Sequence, residues 1–109
     1  MKVSELTVAL SLKVHACPDP EREISGVYIG DLLSWVMGRA QSGDAWITIM
    51  SNINIVAVAS LVDASCVLLA EGVEPDQNLI HTAEAKGVNL FTSDQTAYEL
   101  AKALAELLR

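Results

Sequence analysis

The chain has few of the residues from which metal sites, disulfide frameworks and polyanion-binding surfaces are built. Its two cysteines, Cys17 and Cys66, lie far apart and outside any C-x-x-C spacing, and its two histidines, His15 and His81, stand alone. We therefore expect neither a disulfide framework nor a metal site. The chain has seven basic and 14 acidic residues, which gives a net charge of −7, and its basic residues do not cluster. Nucleic acid and anionic membrane surfaces are accordingly not expected as partners.

Motifs for catalysis and for membrane insertion are also missing. No P-loop (G-x-x-x-x-G-K-[ST]) and no nucleophile elbow (G-x-S-x-G) occurs, so we predict no catalytic residues and no cofactor. The apolar run over 45–70 is interrupted by polar residues, among them Ser51, Asn52 and Asp63, and does not predict a membrane span. The N-terminus carries Glu5 and lacks a signal-peptide cleavage pattern. These features predict a cytoplasmic protein.

Aliphatic residues dominate what is present. Hydrophobic residues make up 51% of the chain and aromatic residues only 5%. A core of Val, Ile, Leu and Ala suits packed layers of strands and helices. The apolar share also exceeds what a small core needs, and burial against a second copy of the chain is the simplest explanation. We therefore expect a homodimer, with a monomer that has a more apolar surface as the alternative.

Apolar runs alternate with helical patterns along the whole chain. Strands are expected over 13–17, 24–29, 45–50, 65–70 and 88–91, and helices over about 31–41, 53–62 and 76–85, with one more at each end. Such alternation predicts an α/β fold. It would be a single compact domain over 1–109, whose mainly parallel sheet of about five strands is joined by crossover helices.

Local signals suggest where the helices begin and which loop moves. Ser4 is expected to cap the first helix, Asp31 the second, Ser51 or Asn52 the third, and 92–94 the last. The turn-rich, charged segment 18–23 is the expected mobile loop.

Two features are candidates for an interface. The third helix, 53–62, is apolar nearly all round and should be buried on two sides. Trp35 falls off the predicted apolar stripe of the second helix, which consists of Leu32, Leu33, Val36, Met37 and Ala40. It is either an exposed interface anchor or a loosely covered surface tryptophan.

Three loops at the carboxyl ends of predicted parallel strands are the candidate ligand site. They are 50–52, 71–73 and 92–94, and such loops meet at one edge of an open sheet. The residues expected to bind a ligand are Asn52, Asn54, Gly72, Thr92 and Ser93. Helix capping is the alternative explanation for several of these side chains. Glu71 and Asp94 could form a carboxylate pair for acid–base chemistry, or they could be ordinary solvated surface residues.

Five segments of the chain resemble the DRTGG domain family. They are S-G-V-Y-I-G-D-L-L at 25–33, G-D-A-W-I-T-I at 43–49, N-I-N-I-V-A-V-A at 52–59, L-L-A-E-G-V-E-P at 68–75 and G-V-N-L-F-T-S-D at 87–94. The resemblance spans essentially the whole chain and implies a fold similar to the N-terminal domain of HPr kinase/phosphorylase. One departure is that Glu71-Gly72 stands where the family usually has paired glycines.

The resemblance implies a regulatory, dimerising module without catalytic activity. Related domains accompany CBS domains in some pyrophosphatases, which implies an adenine nucleotide or another phosphometabolite as a candidate ligand. The alternatives are a ligand-free scaffold that binds a metabolic enzyme, or a small enzyme that acts through the strand-end loops. HPr kinase activity is not implied, because the chain has no P-loop.

Overall fold

A computed structural model describes residues 1–109 of the chain. It contains five helices and five strands. In chain order they are α1 (Val3–Ala9), β1 (Lys13–Ala16), β2 (Gly26–Ile29), α2 (Leu33–Arg39), β3 (Asp44–Thr48), α3 (Asn54–Leu61), β4 (Cys66–Leu69), α4 (Gln77–Ala85), β5 (Leu90–Thr92) and α5 (Ala97–Leu107).

The five strands form one sheet in the order β1-β5-β4-β3-β2. Neighbours from β2 to β5 are parallel, and only β1 runs antiparallel, against β5. Parallel strands need crossover connections, and α2, α3 and α4 supply them. The predicted α/β fold with a mainly parallel five-stranded sheet is confirmed.

Helices cover both faces of the sheet, so the domain has three layers. On one face α2, α3 and α4 pack over a cluster that includes Trp46, Ile55 and Leu69. On the other face α1 and α5 pack over a cluster that includes Leu6, Phe91 and Leu100. The central strands β3 and β4 are buried along their whole length, as expected for parallel strands covered on both sides. Cys66 is also buried there.

Four predicted helix caps are wrong, among them that of the third helix, whose N-cap is Ile53 instead of Ser51 or Asn52. The first helix begins at Val3, so Ser4 lies inside it, and the carboxylate of Glu5 accepts the Lys2 backbone N–H at 2.8 Å. The second helix has Leu32 as its N-cap, because the Asp31 side chain is engaged elsewhere. The last helix is capped by Thr96 instead of 92–94, since β5 continues to Thr92.

The third helix exposes one of its two faces. Ile55, Val56, Val58 and Ala59 are buried, whereas Ile53 and Leu61 are exposed. The prediction that this helix is buried on two sides is therefore wrong for the single chain. The predicted stripe of α2 is also only partly buried: Val36 is enclosed, but Leu32 and Met37 are exposed.

The segment 18–23, predicted to be mobile, is held by long-range contacts. The guanidinium of Arg22 donates to both carboxylate oxygens of Asp63, at 2.8 and 3.0 Å, and Ser42 donates to the same carboxylate. These bonds lower the pKa of Asp63 to about 2. Buried Asn89 binds both the N–H and the carbonyl of Asp19. Local sequence patterns could not predict these contacts, because the partner residues lie 41 and 70 positions away along the chain.

No helix in the structure combines the length and the apolar character needed to cross a membrane.

Candidate functional site

The carboxyl ends of β2 to β5 and the amino end of β1 meet at one edge of the sheet, and a polar cleft opens there. It lies where β5 ends and β1 begins, since Lys13 pairs with Thr92 in the antiparallel register. The cleft has a volume of about 420 Å³. Its lining is Leu10, Ser11, Lys13, Glu74, Thr92, Ser93, Asp94 and Gln95. Seven of these eight residues are polar, so the cleft suits a hydrophilic ligand.

One cation and two carboxylates set the charge of the cleft. The Nζ atom of Lys13 lies 3.7 Å from Oε2 of Glu74, and both side chains are largely exposed. Such an exposed ion pair contributes little to stability, so the lysine can turn to an anionic ligand at small cost. Asp94 adds a second carboxylate to the wall. An anion that binds here would therefore need to displace the Lys13–Glu74 contact.

A β-bulge directs His15 toward the buried Thr92. The register of β1 against β5 shifts between Val14 and Ala16, which leaves His15 as the extra residue. Its Nε2 atom lies 2.9 Å from Oγ1 of Thr92. Burial, followed by the charge of Lys13, lowers the pKa of His15 below its ordinary 6.5. The imidazole is therefore mainly neutral at pH 7, and its contact with Oγ1 orients Thr92 in the wall of the cleft.

The loop after β4 makes its turn with two residues of positive φ. Glu71 has φ +60° and Gly72 has φ +75°, and their N–H groups donate to the carbonyls of Gln95 and Ser93. Both amides are thus bonded within the protein. A phosphate cradle made from the free N–H groups of this loop, as in a glycine-rich phosphate loop, is not available here.

The five predicted ligand-binding residues are divided between two places. Thr92 and Ser93 line the polar cleft, and Gly72 lies beside it, where a Cβ would be 3.4 Å from Oδ1 of Asp94. Asn54 instead lines a groove between α3 and α4. Asn52 uses its Oδ1 to accept the Asn54 N–H at 2.9 Å. Asn52 thus makes a local turn in front of α3, whose N-cap is Ile53. Because β4 lies between β3 and β5, these two strands are about 10 Å apart, and the two groups of predicted residues are separated.

Asp31 connects two loops at this edge of the sheet, a role that the sequence did not indicate. Its Oδ1 atom accepts from Oγ1 of Thr48 at 2.8 Å and from the Ile49 N–H at 3.0 Å. The loop after β2 is thereby joined to the loop after β3. The only available signal, an acidic residue in front of a helix, indicates an N-cap equally well.

The acidic and metal-ligating side chains at this edge do not form a metal centre. No group of three or more His, Cys, Asp or Glu side chains is close enough to hold a metal ion. Glu71 and Asp94, the predicted carboxylate pair, are both exposed to solvent. The exposure agrees with the alternative explanation that they are solvated surface residues.

Comparison with known proteins identifies the family. The model of the DRTGG domain family matches residues 8–107. The chain belongs to the DRTGG domain family. The resemblance found in the five sequence segments is therefore confirmed. A search of curated proteins finds no match to the chain.

A solved structure shares the DRTGG fold. It contains the CBS and DRTGG domains of the regulatory region of a pyrophosphatase from Clostridium perfringens, in complex with its activator diadenosine tetraphosphate. The TM-score is 0.74 at 14% sequence identity, and the match covers 94% of this chain. It covers 45% of the other chain, so the DRTGG chain spans less than half of its neighbour's length. A likeness at this identity establishes the fold alone.

The geometry of Glu71 leads to a prediction about the departure from paired glycines. A residue with a Cβ is strained at positive φ, whereas glycine is not. We expect Glu71→Gly to raise the free energy of unfolding by about 0.5–1 kcal/mol, after the larger entropy of glycine in the unfolded chain is subtracted. Urea unfolding followed by circular dichroism measures the change.

Glu71→Ala is the matched control. It removes the same charge but keeps the Cβ, so it should not stabilise the DRTGG chain. If Glu71→Ala stabilises as much as Glu71→Gly, relief of negative charge is the cause and the explanation from backbone strain is wrong.

Proposed function

We propose that this DRTGG chain is a non-catalytic regulatory module that forms a homodimer and senses an adenine nucleotide or another phosphometabolite. The observation that carries the proposal is membership of the family together with the structural neighbour, whose DRTGG domain is part of a pyrophosphatase region that binds diadenosine tetraphosphate. The structural neighbour of the same fold is thus part of a regulatory region. A metabolic enzyme is the kind of partner that such a module would control.

The polar cleft between β1 and β5 is the proposed ligand site. It supports the proposal because it has the size of a small-molecule site, at about 420 Å³, and because it lies at the strand ends where open α/β sheets bind ligands. Lys13 would contact a phosphate, and Thr92 and Ser93 would offer hydroxyl groups. Because the amides of Glu71 and Gly72 are already bonded, recognition would rely on side chains.

A ligand-dependent rise in melting temperature tests the proposal. The probes are diadenosine tetraphosphate, ATP, ADP, AMP and inorganic phosphate, each followed by calorimetry. A ligand at about a hundred times its Kd adds about 2.7 kcal/mol of stability, which corresponds to a rise of roughly 10 °C for a domain of this size. We expect such a rise with at least one probe and its loss in Lys13→Gln.

Variants show whether the cleft is the site. Lys102→Gln removes an exposed lysine on α5, outside the cleft, and should keep the response. Thr92→Val should weaken it, and Asn52→Ala should do so only if the ligand reaches across to α3. A panel without any thermal shift or calorimetric heat would refute the sensing proposal. Equal losses in Lys13→Gln and Lys102→Gln would refute the cleft as its site.

A ligand-free scaffold for a metabolic enzyme is the second candidate. The observation that favours it is the number of large apolar side chains left exposed between 29 and 53, on β2, α2 and the start of α3. Contiguous exposed apolar surface commonly marks a protein-binding site. Two results together would favour the scaffold. The ligand panel would give no response, and the chain would bind a specific metabolic enzyme with an affinity that falls when this surface is substituted.

A further inference from the structure

The two edges of the sheet differ in how they are protected against pairing with another strand. Edge strands that stay single usually carry a lysine, a proline or a bulge. The β1 edge has two of these devices, Lys13 and the bulge at His15. The β2 edge, Gly26–Ile29, has none of them, since its four residues are G-V-Y-I and its ladder with β3 is regular.

The backbone of β2 is hydrogen-bonded on one side alone. Its only ladder partner is β3. No other backbone bond and no side-chain bond involves the residues Gly26–Ile29. The strand is also partly exposed, in contrast to the fully buried β3. Its outward N–H and C=O groups are therefore free to accept a further strand.

Apolar side chains surround this open edge. Ile29 at the end of β2 is 50% exposed, Leu32 59% and Trp35 52%. Leu32 and Trp35 are three residues apart, so their side chains lie on the same side at the start of α2. Ile49 is also exposed. Its backbone N–H donates to Oδ1 of Asp31, the residue before Leu32, which holds Ile49 close to Leu32. We call Gly26–Ile29 together with Leu32, Trp35 and Ile49 the β2 face.

The β2 face lies in the part of the chain with the least charge. Between 24 and 62 the only charged residues are Asp31, Arg39 and Asp44, although the whole chain has a net charge of −7. Asp44 is buried, and Arg39 lies over the ring of Trp35 at 3.8 Å. Two copies of an acidic chain repel each other least where they meet through such a surface.

We infer that the β2 face is the homodimer surface, where β2 of one copy pairs antiparallel with β2 of a second copy about a two-fold axis. The sheet is thereby extended from five to ten strands. Antiparallel pairing of identical strands is self-complementary, because each residue contacts its counterpart in both directions. The Leu32 and Trp35 side chains of the two α2 helices then flank the joint. This inference rests on the homodimer of the proposed function and assigns its surface.

Sedimentation velocity over a range of concentrations tests the inference on the full chain. We expect a dimer whose Kd rises about 30-fold or more in Ile29→Lys, because each dimer loses two apolar contacts and gains two charges. Val14→Lys is the matched control, since Val14 is also 50% exposed but lies on the opposite edge strand, β1. It should leave the Kd unchanged.

A second variant and a second measurement separate a lost interface from a damaged fold. Leu32→Asp introduces a charge on the β2 face while it places a favourable capping residue at the N-cap of α2. We expect it to weaken the dimer without lowering the melting temperature of the monomer. Hydrogen exchange should be slow at the outward amides of Gly26–Ile29 in the dimer and faster in both variants.

The outcomes distinguish the surface from the assembly. If the wild-type chain is a dimer and neither Ile29→Lys nor Leu32→Asp changes its Kd, the β2 face is not the dimer interface, although the chain is still a homodimer. A wild-type chain that is monomeric at about 100 μM would overturn the homodimer as well, whereas the ligand measurements would still decide the sensing function independently.

Discussion

Replacement of Trp46 by alanine should lower the free energy of unfolding by about 4–5 kcal/mol. Trp46 lies in the middle of β3, is fully buried, and is among the largest enclosed side chains. Its Nε1–H also donates to the carbonyl of Gly30 at 2.8 Å, so the substitution creates a cavity and removes a hydrogen bond. Because small domains have only about 5–15 kcal/mol of stability, this single change should remove a large share of it.

Urea unfolding followed by far-UV circular dichroism measures this loss. Trp46→Phe is the control, since it keeps most of the ring but removes the N–H donor, and we expect it to cost about 2 kcal/mol. A loss of less than about 2 kcal/mol in Trp46→Ala would contradict the close packing of Trp46 under α2 and α3 on one face of the sheet.

Asn89→Ala should be the second most damaging substitution, with a loss of about 3 kcal/mol. The side chain is 2% exposed and makes three hydrogen bonds. Its Oδ1 accepts from the Asp19 N–H, and its Nδ2 donates to the carbonyls of Asp19 and Ser65, at 2.8 and 3.0 Å. Alanine would leave these backbone groups without a partner, at least one of them in a buried position.

Hydrogen exchange provides a local readout for this variant. Because Asn89 attaches the loop 18–23 to Ser65, just before β4 begins, amides in that loop should exchange faster in Asn89→Ala than in the parent chain. Asn78→Ala changes an exposed asparagine on α4 and should alter neither the stability nor the exchange of the loop. Unchanged exchange at 18–23 in Asn89→Ala would mean that the Arg22–Asp63 contact is sufficient to hold the loop.

The elements of the fold could be predicted from sequence because apolar runs and their spacing are local signals. The strands β3 and β4 are continuous apolar runs, and α4 has a capping aspartate, Asp76, followed by a glycine stop at Gly87. The caps of α2 and α5 could not be predicted equally well. Asp31 satisfies the local preference of an N-cap, but its carboxylate instead binds Thr48, a residue from another strand.

The candidate ligand site was predicted from the loops at the ends of the parallel strands, and it stays a prediction. Loops after parallel strands must meet at one edge, and two of the predicted residues, Thr92 and Ser93, line a polar cleft at that edge. The order of the strands is not contained in the local pattern. Because β4 separates β3 from β5, the third loop, with Asn52, lies away from the cleft. The bulge that brings His15 to Thr92 left no sequence signal that we could identify.

The bonded amides of the Glu71-Gly72 turn have a consequence for how this domain could change over evolutionary time. The N–H groups of this turn already donate to the carbonyls of Ser93 and Gln95. A ligand in the cleft would therefore contact side chains such as Lys13, Glu74 and Asp94. Such side chains stand outside the packed core, and their replacement leaves the sheet intact. If the polar cleft is the ligand site as we propose, its ligand preference can therefore change by point substitution while the sheet stays the same.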